Sequence, residues 1–226
     1  MTKHFTHVKR KLKYEDLVVE NSTVNGRTYL TPTGSRYPSI TTVLGILSEE
    51  SIRKWRERVG AEEANRISRK ASSRGTKLHL VAEKYIDNDS TYLDKQMPHV
   101  IELFNSIKPI LDSRVDNVYA QEIALYSDHF KIAGRADCIA ELDGELMIID
   151  YKTSSKPKEK DWISSYFIQA AFYAAAYFEA TNIPIKKSAI IIAVEGSEPQ
   201  VFIEETFPWF KKLLEVRNEY RLRKGI

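Results

Sequence analysis

Apolar and polar positions along the 226-residue chain are grouped in ways that mark most of its elements. Residues 18–30, with Asn25-Gly26 in the middle, predict a short hairpin, because that dipeptide tolerates the positive φ of a type I′ turn. Pro38-Ser39 predicts a helix start with Ser39 as N-cap, and Ser48-Glu49-Glu50-Ser51 a second start with acids in its first turn. Residues 52–71 read as a basic, kinked helical stretch, and residues 75–86 as a further helix with Leu78, Ala82 and Tyr85 on one side. From 97 to 111 a helix carries Val100, Phe104, Ile107 and Leu111 at helical spacing. Three strand-like segments follow at 118–126, 131–142 and 145–151, the last two joined by Asp143-Gly144 as a tight hairpin. A long alanine-rich helix at 162–180 precedes a buried strand at 187–194 around Ile190-Ile191-Ile192. An edge strand at 201–204 and an amphipathic helix at 207–223 close the chain. Helix, three strands, helix, strand, behind a largely helical N-terminal region, is a mixed α/β fold. The expected division is 1–96 for the N-terminal hairpin and helices and 97–226 for the core and C-terminal helix, in one compact domain.

Composition narrows the field. A hydrophobic fraction of 42% with 29% charged residues excludes wholesale disorder. The longest apolar run, Ala170 to Phe178, is far short of the ~20 residues that a membrane span needs. A single cysteine, Cys138, excludes an internal disulfide and any four-cysteine zinc or iron–sulfur site. The first fourteen residues are polar and basic, unlike a secretory signal. The expected location is therefore the cytoplasm of a bacterium or a phage-infected host, with the mitochondrial matrix equally compatible if a presequence was removed.

Net charge is only +3, but it is unevenly spread. Residues 52–77 carry nine Lys/Arg against three Glu, whereas residues 78–150 carry six against fourteen acids. A basic border on an acidic centre suits a protein that holds a polyanion while carboxylates hold a divalent cation. Two solvated helix faces of opposite sign would give the same count.

The chemistry concentrates in Gly134-Arg135-Ala136-Asp137 and, after twelve intervening residues, Asp150-Tyr151-Lys152-Thr153-Ser154. Alternation along a strand puts Asp150 and Lys152 on one face, and the apolar pair Ile148-Ile149 marks that strand as buried. A hairpin can bring Asp137 beside Asp150. Two carboxylates and a lysine at one sheet end make a hard-cation site with an adjacent amine.

These residues resemble the PD-(D/E)XK nuclease superfamily, and two further segments resemble its RecB-like branch. Gly75-Thr76-Lys77-Leu78-His79 is similar to that branch's G-x-x-x-H, and Gln169-Ala170-Ala171-Phe172-Tyr173 to its Q-x-x-x-Y. Residues 37–44, Trp55-Arg56 and D-Y-K-T-S look closest to the mitochondrial genome maintenance exonuclease group and its phage relatives. The resemblance implies a magnesium- or manganese-dependent deoxyribonuclease with one or two ions, digesting from free ends with a preference for single strands, and acting beside replication or recombination proteins. It implies Asp137, Asp150, His79 and the Tyr151 carbonyl as metal ligands, Lys152 as the catalytic lysine, and Gln169 and Tyr173 beside the lysine and the phosphate. Glu122 either completes the metal site or is an exposed strand charge, and Glu83, one turn after His79, either backs the metal or is solvated. Arg135, Thr153, Ser154 and Lys156 are candidate phosphate contacts. Arg66, Arg69, Lys70 and Arg74 belong to a candidate DNA-holding face, with Trp55 and Tyr37 as candidate base-stacking rings. The iron–sulfur cluster of some relatives is excluded by the cysteine count. Three other readings stay open: a structure-selective endonuclease, a duplex-end-processing recombination exonuclease, and a binding module that lost its chemistry. Oligomeric state is not legible.

Overall fold

The computed structural model describes residues 3–9, 12, 14–22 and 26–225. Asn25, in the middle of the expected hairpin, lies outside them. The strands on either side pair antiparallel, β1 (Val18–Ser22) with β2 (Gly26–Leu30), and a third strand that the pattern did not announce, β3 (Arg36–Pro38), adds to β2. Helix α1 (Ile40–Leu44) starts where Ser39 caps it, the Ser39 Oγ accepting from the Thr42 N–H at 3.0 Å.

Helices α2 (Glu49–Val59) and α3 (Ala61–Ile86) meet at Gly60, whose φ of 85° no helix residue can share. The break therefore falls at Gly60 and not, as expected, between 71 and 75. Ser72, Ser73 and Gly75 weaken helix propensity, but Leu78, Val81, Ala82, Tyr85 and Ile86 are buried beyond them, and that packing carries the helix through. Helix α4 (Pro98–Arg114) follows, starting with proline, which has no N–H to leave unpaired in the first turn.

The core is a five-stranded sheet in the order β4 (Val115–Ser127), β5 (Ile132–Leu142), β6 (Glu145–Ser154), β7 (Lys187–Val194) and β8 (Gln200–Glu205). Only β6 and β7 run parallel, and α5 (Ser164–Thr181) makes the crossover between them. Strand β7 explains why the sheet needs two covers. Ile190 and Ile192 pack against α5, α1 and α6 (Trp209–Lys224), while Ala189, Ile191 and Ala193 pack on the other side with α3 and α4. A strand buried on both faces reads as a continuous apolar run, which is what the sequence has there. The parallel pairing puts the C-terminal ends of β6 and β7 side by side, and α3 lies across that end.

Candidate active site

The β5–β6 ladder stops at the pair Cys138–Ile149. One step further, in the same register, Asp137 faces Asp150. There the Asp137 carboxylate replaces the missing ladder partner: its Oδ2 accepts from the Tyr151 N–H at 2.8 Å. The Tyr151 carbonyl is taken by His79 on α3, whose Nε2 lies 2.7 Å from it. The other ring nitrogen, Nδ1, faces Asp137 Oδ1, 3.4 Å away. On the other side of Asp137, strand β4 is irregular. Glu122 lies between the pairs Gln121–Cys138 and Ile123–Ala136, opposite Asp137, with a φ of 44° in the left-handed region. Ligand atoms of His79, Glu122 and Asp137 all lie within 4.8 Å of one another.

Burial and mutual charge perturb every one of these groups. Burial raises the Glu122 carboxyl, and nearby Asp137 adds to it, to about 7. Burial opposes a charged His79, but Asp137 outweighs it, and the imidazole is raised to about 9. Burial pushes Asp137 up while His79 pulls it down, and the net direction is down. Asp150 is 1% exposed and moves up, because burial exceeds the attraction of Lys152. Lys152 moves up as well, burial being outweighed by the Asp150 charge that its Nζ touches.

Apart from the ion pair of Oδ2 with Lys152, neither oxygen of Asp150 has a hydrogen-bond partner, although both are buried. A buried carboxylate whose Oδ1 has no partner, next to a histidine and two further carboxylates, is what a hard divalent cation would satisfy. The donor set fits such an ion: Asp137, Glu122 and His79 as the compact group, with Asp150 and the Tyr151 carbonyl alongside. Glu83 is not in that group; its half-buried carboxyl is raised by burial and by Asp87.

Helix α5 supplies the opposite wall. Gln169 Nε2 donates to the Tyr173 hydroxyl at 3.1 Å, and both residues are buried. Gly134 makes room for them, since a Cβ there would come within 2.9 Å of Tyr173 Cε1 and 3.0 Å of Ile40 Cγ2. That close approach is why a glycine opens G-R-A-D.

The expected DNA contacts divide. Arg66, Arg69 and Lys70 are exposed on the first half of α3, Trp55 is half-buried on α2, Thr153 is half-buried and Lys156 is exposed. Ser154 is buried and its hydroxyl donates to the Lys156 carbonyl at 2.6 Å, so it shapes the turn. Arg135 is engaged with Asp16 at 2.7 Å and with the Glu122 carbonyl. Two expectations are corrected. Tyr37 is 6% exposed and its hydroxyl donates to Asp128 at 2.6 Å, so its ring belongs to a small core and cannot stack a base. Arg74 is 8% exposed and pairs with Glu195 at 2.7 Å, so it leaves the basic face and pins α3 to the end of β7. A further residue belongs here that no motif marks, Tyr166, whose ring lies under Lys152. Its place three residues before Gln169, on one helix face, was the signal that could have found it.

Residues 87–206 match the PD-(D/E)XK nuclease superfamily, more than half of the chain. The chain belongs to that superfamily. The matched segment holds Glu122, Asp137, Asp150, Lys152, Gln169 and Tyr173, whereas His79 and the basic helices precede it. Among curated relatives, the chain is 27% identical to human mitochondrial genome maintenance exonuclease 1 over 177 residues, 72% of this chain and 50% of that protein. It is 29% identical to the mouse protein of the same name over 129 residues, 54% of this chain and 38% of that one. The chain thus spans about half the length of the human relative, and less of the mouse one. A crystal structure described as an exonuclease, from Eubacterium rectale, overlaps with a TM-score of 0.45 at 12% identity, covering 67% of this chain and 68% of that one. At that score the likeness carries no argument.

Proposed function

We propose that this PD-(D/E)XK nuclease is a divalent-metal-dependent DNA exonuclease that digests from free ends, with a preference for single strands and magnesium or manganese as its ion. The observation that carries the reading is the meeting of His79, Glu122 and Asp137 within 4.8 Å, beside the ion pair of buried Asp150 with Lys152. A bound ion would polarise a phosphoryl oxygen and lower the pKa of a water. The chain's own groups do the rest. Asp150 keeps Lys152 charged, which suits the lysine to stabilising negative charge that develops on a phosphate. His79 is held by the Tyr151 carbonyl in the orientation that offers Nδ1. Gln169 and Tyr173, locked together and buried, limit how far a substrate can enter from the α5 side. The exposed Arg66, Arg69 and Lys70 on α3 supply a basic approach to the site for a phosphate backbone. The exonuclease activity, and the end dependence with it, is carried over from the names of the relatives.

One gel tests this. The protein and its Lys152→Ala variant are incubated with linear single-stranded, linear duplex and circular single-stranded DNA, with and without magnesium. The expected result is magnesium-dependent loss of linear single strands, intact circles, and no cleavage by Lys152→Ala despite retained binding. Cut circles would make it an endonuclease. Preferred loss of duplex ends would favour the recombination-type exonuclease. Binding without cleavage would make it an inactive module, and cleavage by the variant would remove Lys152 from the site.

A further inference from the structure

Lys152 has a neighbour outside the motifs. Tyr166 lies in the first turn of α5, three residues before Gln169 and seven before Tyr173, so the three share a helix face. The Lys152 Nζ lies 5.1 Å from the centroid of the Tyr166 ring while it also touches Asp150. The ring is half-buried and the lysine side chain 20% exposed, so water is partly excluded from the contact.

A lysine carries its charge on a flexible four-carbon stem, and fixing it costs rotamer freedom. Asp150 meets the ammonium at Oδ2 only, and one contact leaves the other directions of the ammonium open. A second contact through the face of an aromatic ring would fix it, and partial desolvation strengthens that contact. We infer that Tyr166 is a positioning residue for Lys152: its ring face holds the ammonium beside Asp150 and aimed at the C-terminal end of β6, and its hydroxyl is dispensable. The inference rests on Lys152 being the cation of the proposed reaction.

The test compares Tyr166→Phe and Tyr166→Leu, with Lys152→Ala as control, on linear single-stranded DNA with magnesium. Phe keeps the ring face, so its kcat should stay within roughly twofold of the parent. Leu removes the face, and kcat should fall roughly 5- to 30-fold with KM little changed. Equal loss in Phe and Leu would assign the role to the hydroxyl and overturn the inference. So would an unchanged Leu variant, or a loss confined to KM. A melting-temperature cycle with Lys152→Met guards against simple loss of packing. Tyr166→Leu should cost less stability when Lys152 is already gone, and identical costs in both backgrounds would overturn the inference without any activity measurement. If Lys152→Ala itself still cleaves, the site assignment fails; if it is dead while Tyr166→Leu is fully active, only the positioning role fails.

Discussion

Helix α5 and the arm made of α2 with the first half of α3 are both helical and both border the site, yet opposite forces hold them. From Phe167 to Tyr177, all but one residue of α5 is buried, packed between the sheet, α1 and α6. No residue of α2 is fully buried, and from Ala61 to Ser73 only Ala64 of α3 is. The arm is held mainly by neighbours on its own surface: Arg53 with Glu50 and Glu57, Lys54 with Glu50, Arg66 with Glu63. Such exposed pairs support a helix locally and add little to the fold. The difference teaches a division of labour. Residues on α5 are fixed by the core, whereas the arm has little beyond its surface pairs to hold it, and α3 passes from the second condition to the first. The passage falls at Arg74, paired with Glu195, and His79 stands just inside it.

The two halves of α3 can be compared directly. Leu78 is fully buried and Ile67 is 38% exposed. Leu78→Ala should cost about 2–5 kcal/mol through lost burial and a cavity, and activity should fall as His79 shifts. Ile67→Ala should stay within ~0.5 kcal/mol. Denaturant melts of the two variants check this, and equal costs would end the distinction between arm and core. Gly134→Ala is next in size. Its Cβ would press on Tyr173 and Ile40, and the expected cost is about 1–3 kcal/mol with a drop in kcat as the Gln169–Tyr173 pair moves. A variant with full activity would show that this wall can yield.

The joint itself should respond less. Breaking a buried ion pair by removing one partner costs about 3–5 kcal/mol, but Glu195 is one-third exposed, so Arg74→Met should cost only about 1–2 kcal/mol. If the pair pins α3, the charge-swapped variant Arg74→Glu/Glu195→Arg should recover part of that loss in thermal melts. No recovery would leave Arg74 with a packing role alone.

Much of this arrangement was legible because it is local. The runs Ile148-Ile149 and Ile190-Ile192 betray strands buried on both faces, and Asp143-Gly144, with φ of 54° and 78°, makes the turn that its residue types suggest. The spacing of Asp137 and Asp150 puts them opposite each other across the β5–β6 pair because a hairpin leaves little choice. What was not legible depends on distant partners. Strand β3 is three residues long, ends in proline and exists only by pairing with β2. The helix break was misplaced because Gly60 and Gly75 look alike until the core anchors the second. Glu122 could not be told from a solvated strand charge, since its irregular backbone and His79, which is on another helix, bring it into the cluster. Tyr37 and Arg74 look exposed in sequence, but distant partners claim them: Ala124 and Ala133 pack with the Tyr37 ring, and Glu195 pairs with Arg74.

The smallest expected effect on stability carries the largest consequence for the arm. Arg69 and Lys70 are exposed on its α3 half, and their reversal to Glu should leave the melting free energy within ~0.5 kcal/mol. If these residues hold a phosphate backbone, the same variants should weaken single-strand binding severalfold at low salt. More tellingly, each lost phosphate contact should reduce the slope of log affinity against log salt by about 0.7. Anisotropy titrations across a salt series measure both quantities with calcium replacing magnesium. A weaker affinity with an unchanged slope would mean that the charge acts at long range without touching the strand. No change in either would detach the arm from the substrate, and the contrast with α5 would then concern packing alone.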